Sequence, residues 1–317
     1  MKPIFIGGCE RSGTTLLGAM LGAHTSCLCV PEMKFKFDIL RFAHEDHDIH
    51  GMRGMIDKAD IVRRLAKRSN FRIWELTLDV AAVPHEQISC CALIEWLVTI
   101  YGQKVGKPMP AMWVDHTPSN IRYARTLLSL FPEAYMVHIV RDGRAVAASV
   151  LPLDWGPNEI DSAARYWAER LAYGFVAESQ WPQRVIRVRY EDLVEDPQST
   201  VKKLCGALAL NYEPAMSQGG GFLVPHYTAK QHALVGSTPD PARVNAWEQQ
   251  FTPRQIEIFE SVASDLLESL GYVPKFGLRA RRMSRMEGLV SGIRELYKKE
   301  LINKRRQKKR KRETIPA

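Results

Sequence analysis

The feature that most restricts this chain is Gly8-Cys9-Glu10-Arg11-Ser12-Gly13-Thr14-Thr15, a G-x-x-x-x-G loop between an apolar run, Ile4 to Ile6, and an apolar helical stretch, Gly13 to Leu21. A loop of this kind wraps an anion. Its glycines let the backbone come close, and the new helix presents unpaired N–H groups and the positive end of its dipole. It needs a strand that stops at the loop and a helix that starts there. Further β-branched or apolar runs at Ile4 to Ile6, Met112 to Val114, Tyr135 to Val140 and Val185 to Val188 are each followed by helical patterning. Helices are expected over Pro118 to Leu130, Ile160 to Ser179, Pro197 to Leu208 and Pro253 to Leu270, the last stopped by Gly271. The expected fold is therefore α/β: a three-layer, P-loop-like arrangement with a central, mostly parallel sheet flanked by helices. The glycine-rich stretch Gln218 to Gly221 is expected to be a mobile loop.

With 45% hydrophobic and 25% charged residues in 317, the chain can bury a large core, which excludes a disordered or collagen-like protein. Its longest apolar stretch, Ala92 to Tyr101, contains Glu95 and falls short of the roughly 18 to 20 residues a bilayer span needs. The start runs straight into a strand with no signal-peptide pattern, so a cytoplasmic protein is expected. Six cysteines without C-x-x-C repeats are read as reduced, buried thiols. The positive charge is localised: Phe276 to Ala317 carries a net +11 and the rest of the chain −2. Two regions follow, a main domain over 1–275 and a basic, amphipathic helical tail over 276–317. In the tail, Met286, Leu289, Val290, Ile293, Leu296, Tyr297 and Leu301 recur at three- and four-residue steps, and Lys304 to Arg312 adds eight cations in nine residues. This pattern suits docking on an anionic membrane surface. Nucleic acid is disfavoured, because no aromatic platform accompanies the charge.

A nucleoside triphosphatase needs Lys where this loop has Thr14, to neutralise the β and γ phosphates beside Mg²⁺. Arg11 and the hydroxyls of Ser12, Thr14 and Thr15 instead suit a single phosphate and a neighbouring transferred group, without a metal. A second ligand site is expected where Tyr135 to Val140 gives way to Arg141-Asp142-Gly143-Arg144-Ala145-Val146-Ala147-Ala148-Ser149. There a small-residue helix opens at the carboxyl edge of a strand, where open α/β sheets gather ligands. Asp115-His116-Thr117-Pro118 opens another helix at that edge, with Thr117 as N-cap and Pro118 as N1.

These motifs resemble those of sulfotransferases that use 3′-phosphoadenosine 5′-phosphosulfate (PAPS), particularly the tyrosylprotein branch, whose loop reads P-R-S-G-T-T; this chain has Glu10 in place of the proline. The resemblance implies that Arg11, Ser12, Gly13, Thr14 and Thr15 hold the 5′-phosphosulfate, and that Arg141 and Ser149 hold the 3′-phosphate. It places the catalytic carboxylate at Glu32, in Pro31-Glu32-Met33, as base for the acceptor hydroxyl, with Arg11 stabilising the leaving group. Relatives commonly read E-K-T-P where this chain has His116, which leaves open whether a cation is supplied there. Arg189-Tyr190-Glu191-Asp192-Leu193 matches an R-Y-E-D-L segment whose tyrosine lies against the nucleotide, and Ser237, Arg243 and Trp247 fall where a late loop closes over it. The implied reaction is metal-free sulfuryl transfer from PAPS to a hydroxyl of a tyrosine, a sugar or a glycolipid. A P-loop kinase and a non-catalytic nucleotide-binding module stand as alternatives.

Overall fold

Along the first strand, Ile4 and Ile6 pack into one apolar layer and Phe5 into another, and all three side chains are fully buried. A strand covered on both faces belongs in the middle of a parallel sheet. The computed structural model describes residues 1–45, 55–79, 81, 87–224, 236 and 240–314. Its strands are β1 (Lys2–Gly8), β2 (Cys27–Val30), β3 (Met55–Asp57), β4 (Gln87–Ser89), β5 (Met112–Asp115), β6 (Tyr135–Val140) and β7 (Val185–Arg189). Five of them form one parallel sheet in the order β2-β5-β1-β6-β7, with β1 at its centre. The strands β3 and β4 make a separate antiparallel ribbon.

The alternation seen in β1 repeats in β5, where Trp113 faces the layer of Phe5 while Met112 and Val114 face that of Ile4. On the Phe5 side the helices Cys90–Lys104 and Ala124–Leu130 supply the cover. On the other face it comes from Thr14–Gly22 and Pro197–Leu208. A third cluster joins the helices Ile160–Gln180 and Pro253–Ser269 through Trp167 and Phe259. The expected three-layer, mostly parallel architecture is the observed one.

Two local expectations need correcting. The segment after His116 starts as a 3₁₀ turn, Pro118–Tyr123, before the helix Ala124–Leu130; Thr117 is its N-cap and Pro118 opens it as expected, but the Thr117 side-chain oxygen accepts from Met33 N–H and not from the turn. The glycine-rich stretch expected to be mobile is tied down: Gly221 N–H donates to the carbonyl of Ala19, and Phe222 joins the core. The tail forms a continuous helical rod from Arg285 to Thr314, with a π-helical turn at Lys298–Asn303.

Candidate active site

The register of β1 on β6 sets Gly8 beside Ile139, so the G-x-x-x-x-G loop and Arg141 leave the sheet side by side. They flank the point where the chain crosses from one side of β1 to the other, the crevice in which open α/β sheets bind ligands. Within the loop Arg11 is left-handed, at φ 71°, and Gly13 follows at φ 99°. Gly13 precedes the helix Thr14–Gly22, and a Cβ there would lie 2.5 Å from the Tyr190 ring, so only glycine fits both the backbone and the neighbour.

The two predicted anion sites meet. Arg11 Nε donates to Ser149 Oγ at 3.0 Å, and Arg141 Nη1 donates to the backbone carbonyl of Arg11 at 2.9 Å. The Arg141 guanidinium lies over the Tyr190 ring, 4.1 Å from its centroid. Arg11, Gly13, Arg141, Ser149 and Tyr190 thus form one connected cluster. Ser12, Thr14 and Thr15 are buried at its base, and Ser12 Oγ and Arg141 Nε have no hydrogen-bond partner. Glu10, the residue that departs from the family loop, turns the other way: its carboxylate pairs with Arg170 Nε at 3.4 Å. The cluster is braced from behind. Asp142 caps the helix Gly143–Val150 that carries Ser149, and its own N–H donates to Glu191, which also accepts from the Tyr272 hydroxyl. Burial pushes the Glu191 carboxyl up.

Glu32 and His116 sit on neighbouring turns at the ends of β2 and β5. Met33 N–H donates to Thr117 Oγ1 at 2.8 Å, and Thr117 Oγ1 donates to Asp115 Oδ1 at 2.5 Å. Asp115 Oδ2 in turn pairs with Lys36 Nζ at 2.7 Å, and both side chains are fully buried. Glu32 keeps a salt bridge to Lys34 at 2.7 Å and is partly exposed. His116 packs on Gly18 and edge-on against Phe222, with both ring nitrogens buried and unpartnered. Burial pushes its imidazole pKa down, more than the opposing pull of the Glu32 and Asp115 charges, so it is neutral at pH 7. Burial would likewise lift the Asp115 carboxyl, but the Lys36 ammonium and the Thr117 bonds outweigh it and hold Asp115 below the usual range.

Of the late-loop residues, Ser237 lies outside the described residues. Arg243 ends the short turn Pro241–Arg243, whose next residue, Val244, packs on Tyr190. Trp247 packs against Ala145 of the Ser149 helix and under the Arg144 guanidinium. Sequence reasoning missed Lys36, Asp115 and Arg170. The one signal for the first was a lysine set between Phe35 and Phe37, and the structure buries Lys36 together with Phe35.

Residues 3–214 match the model described as Sulfotransferase family. Protein-tyrosine sulfotransferase 1 of Danio rerio is 24% identical over 86% of this chain and 73% of its own length. The Drosophila melanogaster protein-tyrosine sulfotransferase is 28% identical over 68% of this chain, which spans only 40% of that relative. Among solved structures, the sulfotransferase domain of the Synechococcus PCC 7002 olefin synthase superposes with a TM-score of 0.59 at 22% identity, over 86% of this chain and 95% of that one.

Proposed function

From the premise that this chain belongs to the sulfotransferase family, we propose that it moves a sulfuryl group from PAPS to a hydroxyl acceptor, with protein tyrosine the first acceptor to try and sugar or glycolipid hydroxyls the next. The observation that carries this reading is the contact of Arg11 with Ser149 and Arg141, which joins two anion-binding sites into one. The residues fit a donor phosphorylated at both ends. Ser12 Oγ at the first site and Arg141 Nε at the second are buried polar atoms without partners, and such atoms are rare unless a ligand satisfies them.

When bound, PAPS supplies an activated sulfuryl group on a phosphate leaving group. The chain supplies the rest. Arg11 and the N–H groups opening the helix Thr14–Gly22 stabilise charge on the departing phosphate, and Arg141 with Ser149 orients the donor through its 3′ end. Glu32 takes the acceptor proton, and its loop is held by the Met33 to Thr117 bond. His116, neutral by virtue of burial, serves as a hydrogen-bond donor where relatives place a cation. The kinase reading lacks its phosphate-neutralising lysine, since Thr14 occupies that position.

The test is thermal stabilisation. A ligand held only by the folded state at a hundred times its dissociation constant adds about 2.7 kcal/mol. We expect 3′,5′-diphosphoadenosine to raise the melting temperature without Mg²⁺, at concentrations where Mg²⁺-ATP does not; stabilisation by Mg²⁺-ATP alone overturns the proposal. Glu32→Gln should keep that stabilisation and lose on the order of a hundredfold or more in turnover. Near-parental turnover removes Glu32 as the base, and turnover absent from parent and variant alike, with binding intact, leaves the non-catalytic module.

A further inference from the structure

An amphipathic helix on a globular body normally turns its apolar stripe inward. The helix Arg285–Tyr297 does the reverse. At about 100° per residue, Glu287, Ser291, Glu295 and Lys298 fall on one stripe, and Met286, Leu289, Ile293, Leu296 and Tyr297 on the opposite one. The polar stripe holds the body. Arg254 forks onto Glu287 with bonds of 2.9 and 2.8 Å, and Ser291 Oγ donates to Asp161 at 2.8 Å. Glu295 accepts from the backbone and side-chain N–H of Asn158 at 2.8 and 2.9 Å, and Lys298 pairs with Glu159 at 2.8 Å. The π turn Lys298–Asn303 then shifts the helix so that Asn303 is buried and donates to Asn158 Oδ1. These bonds fix the orientation, leaving Met286, Leu289, Val290, Ile293, Leu296, Tyr297 and Leu301 between 40% and 69% exposed.

The rod continues as Lys304–Thr314, where Arg305, Arg306 and Lys308 are exposed. A rigidly presented apolar stripe that runs on into a dense cationic segment matches one surface chemistry, hydrocarbon beneath a layer of negative headgroups. A second copy packed in parallel would bring the same cations against its own, and one packed antiparallel would leave both cationic segments without a counter-charge. A nucleic-acid backbone would satisfy the charge and leave the aliphatic stripe in water.

We propose that the outer face of Arg285–Thr314 is an interfacial docking surface for an anionic lipid bilayer, lying flat with the apolar stripe among the acyl chains and the cations at the phosphates. Any acceptor it reached from there would be one displayed at a membrane. The docking is independent of the sulfuryl-transfer reading, and its test does not use turnover.

The experiment is cosedimentation of the full chain with vesicles of phosphatidylcholine alone and of phosphatidylcholine with phosphatidylglycerol. We expect binding to the anionic vesicles that weakens with salt. The triple change Arg305→Ala, Arg306→Ala, Lys308→Ala should lower partitioning roughly a hundredfold, and Ile293→Glu with Leu296→Glu should abolish it with an unchanged melting temperature, since neither side chain is part of the core. Failure to bind anionic vesicles overturns the proposal, as does binding indifferent to Ile293→Glu with Leu296→Glu. So does a dimer in sedimentation equilibrium that this pair dissociates, or RNA binding in place of vesicle binding.

Discussion

Replacing Lys36 by Met tests the buried pair that joins the Glu32 loop to the end of β5. Methionine nearly matches the aliphatic stem and can still fill the space beside the Phe37 ring, over which the ammonium sits at 4.1 Å, so the change removes mainly charge. At 2.7 Å and an effective dielectric constant of about 20, the pair attracts by about 6 kcal/mol before desolvation is counted. Part of this is offset because a buried lysine no longer has to leave water. Part of the Asp115 charge is still met by Thr117 N–H at 3.0 Å and Thr117 Oγ1 at 2.5 Å. Removing one partner of a buried pair typically costs about 3–5 kcal/mol, and we expect that loss near pH 7. The deficit should depend on pH. In the parent, Asp115 is held below its unfolded value, so its contribution is present above that value and is lost as pH falls through the lowered one. In Lys36→Met the unpaired carboxyl titrates above its unfolded value of about 3.9, so the variant loses stability as pH rises through the raised value. The gap between the two should be narrow near pH 4 and wide at pH 7. Urea unfolding followed by tryptophan fluorescence at several pH values reads it directly. A gap below about 1 kcal/mol at pH 7, or one that does not change with pH, would refute the reasoning.

Two further expectations follow from the same geometry. Arg141→Ala should weaken 3′,5′-diphosphoadenosine by about tenfold or more while changing 5′-monophosphate binding far less, measured by calorimetry; equal losses would remove Arg141 from the 3′ end. Because burial lowers the His116 pKa from 6.5, its neutral form contributes stability above pH 6.5 that is lost as pH falls through the lowered value. His116→Leu, of similar volume and without orphaned nitrogens, should therefore melt higher than the parent at pH 5 by a wider margin than at pH 8, and a pH-independent difference would show that His116 does not titrate as described.

What could be read from the sequence was what local rules dictate. The loop from Gly8 to Thr15 and the turn at Arg141 each join a strand to a helix within a few residues, so composition and spacing placed them on one sheet edge. The strand β2 escaped because Cys27-Leu28-Cys29-Val30 is buried on every residue and has no alternation to read. The ribbon of β3 and β4 pairs segments separated by two helices, a distance that no local pattern spans. Within the site, Lys36 and Asp115 are far apart in sequence, and only folding shows that each is the other's counter-ion. The tail's two faces were visible as spacing, but their orientation was decided by Arg254, Asn158 and Asp161, residues of the body. Glu10 is the converse case: an acidic residue in a loop expected to hold an anion looks like a conflict until Arg170, on a distant helix, draws it away.

If the proposed donor binds as described, the bond from Arg141 to the carbonyl of Arg11, with the reach of the Arg11 side chain to Ser149, would make the molecule a ruler. The interval between its two ends would be held by the Arg11 side chain on Ser149 and by the Arg141 side chain on the loop carbonyl of Arg11. A polyanion of equal charge and a different span would be turned away on length alone.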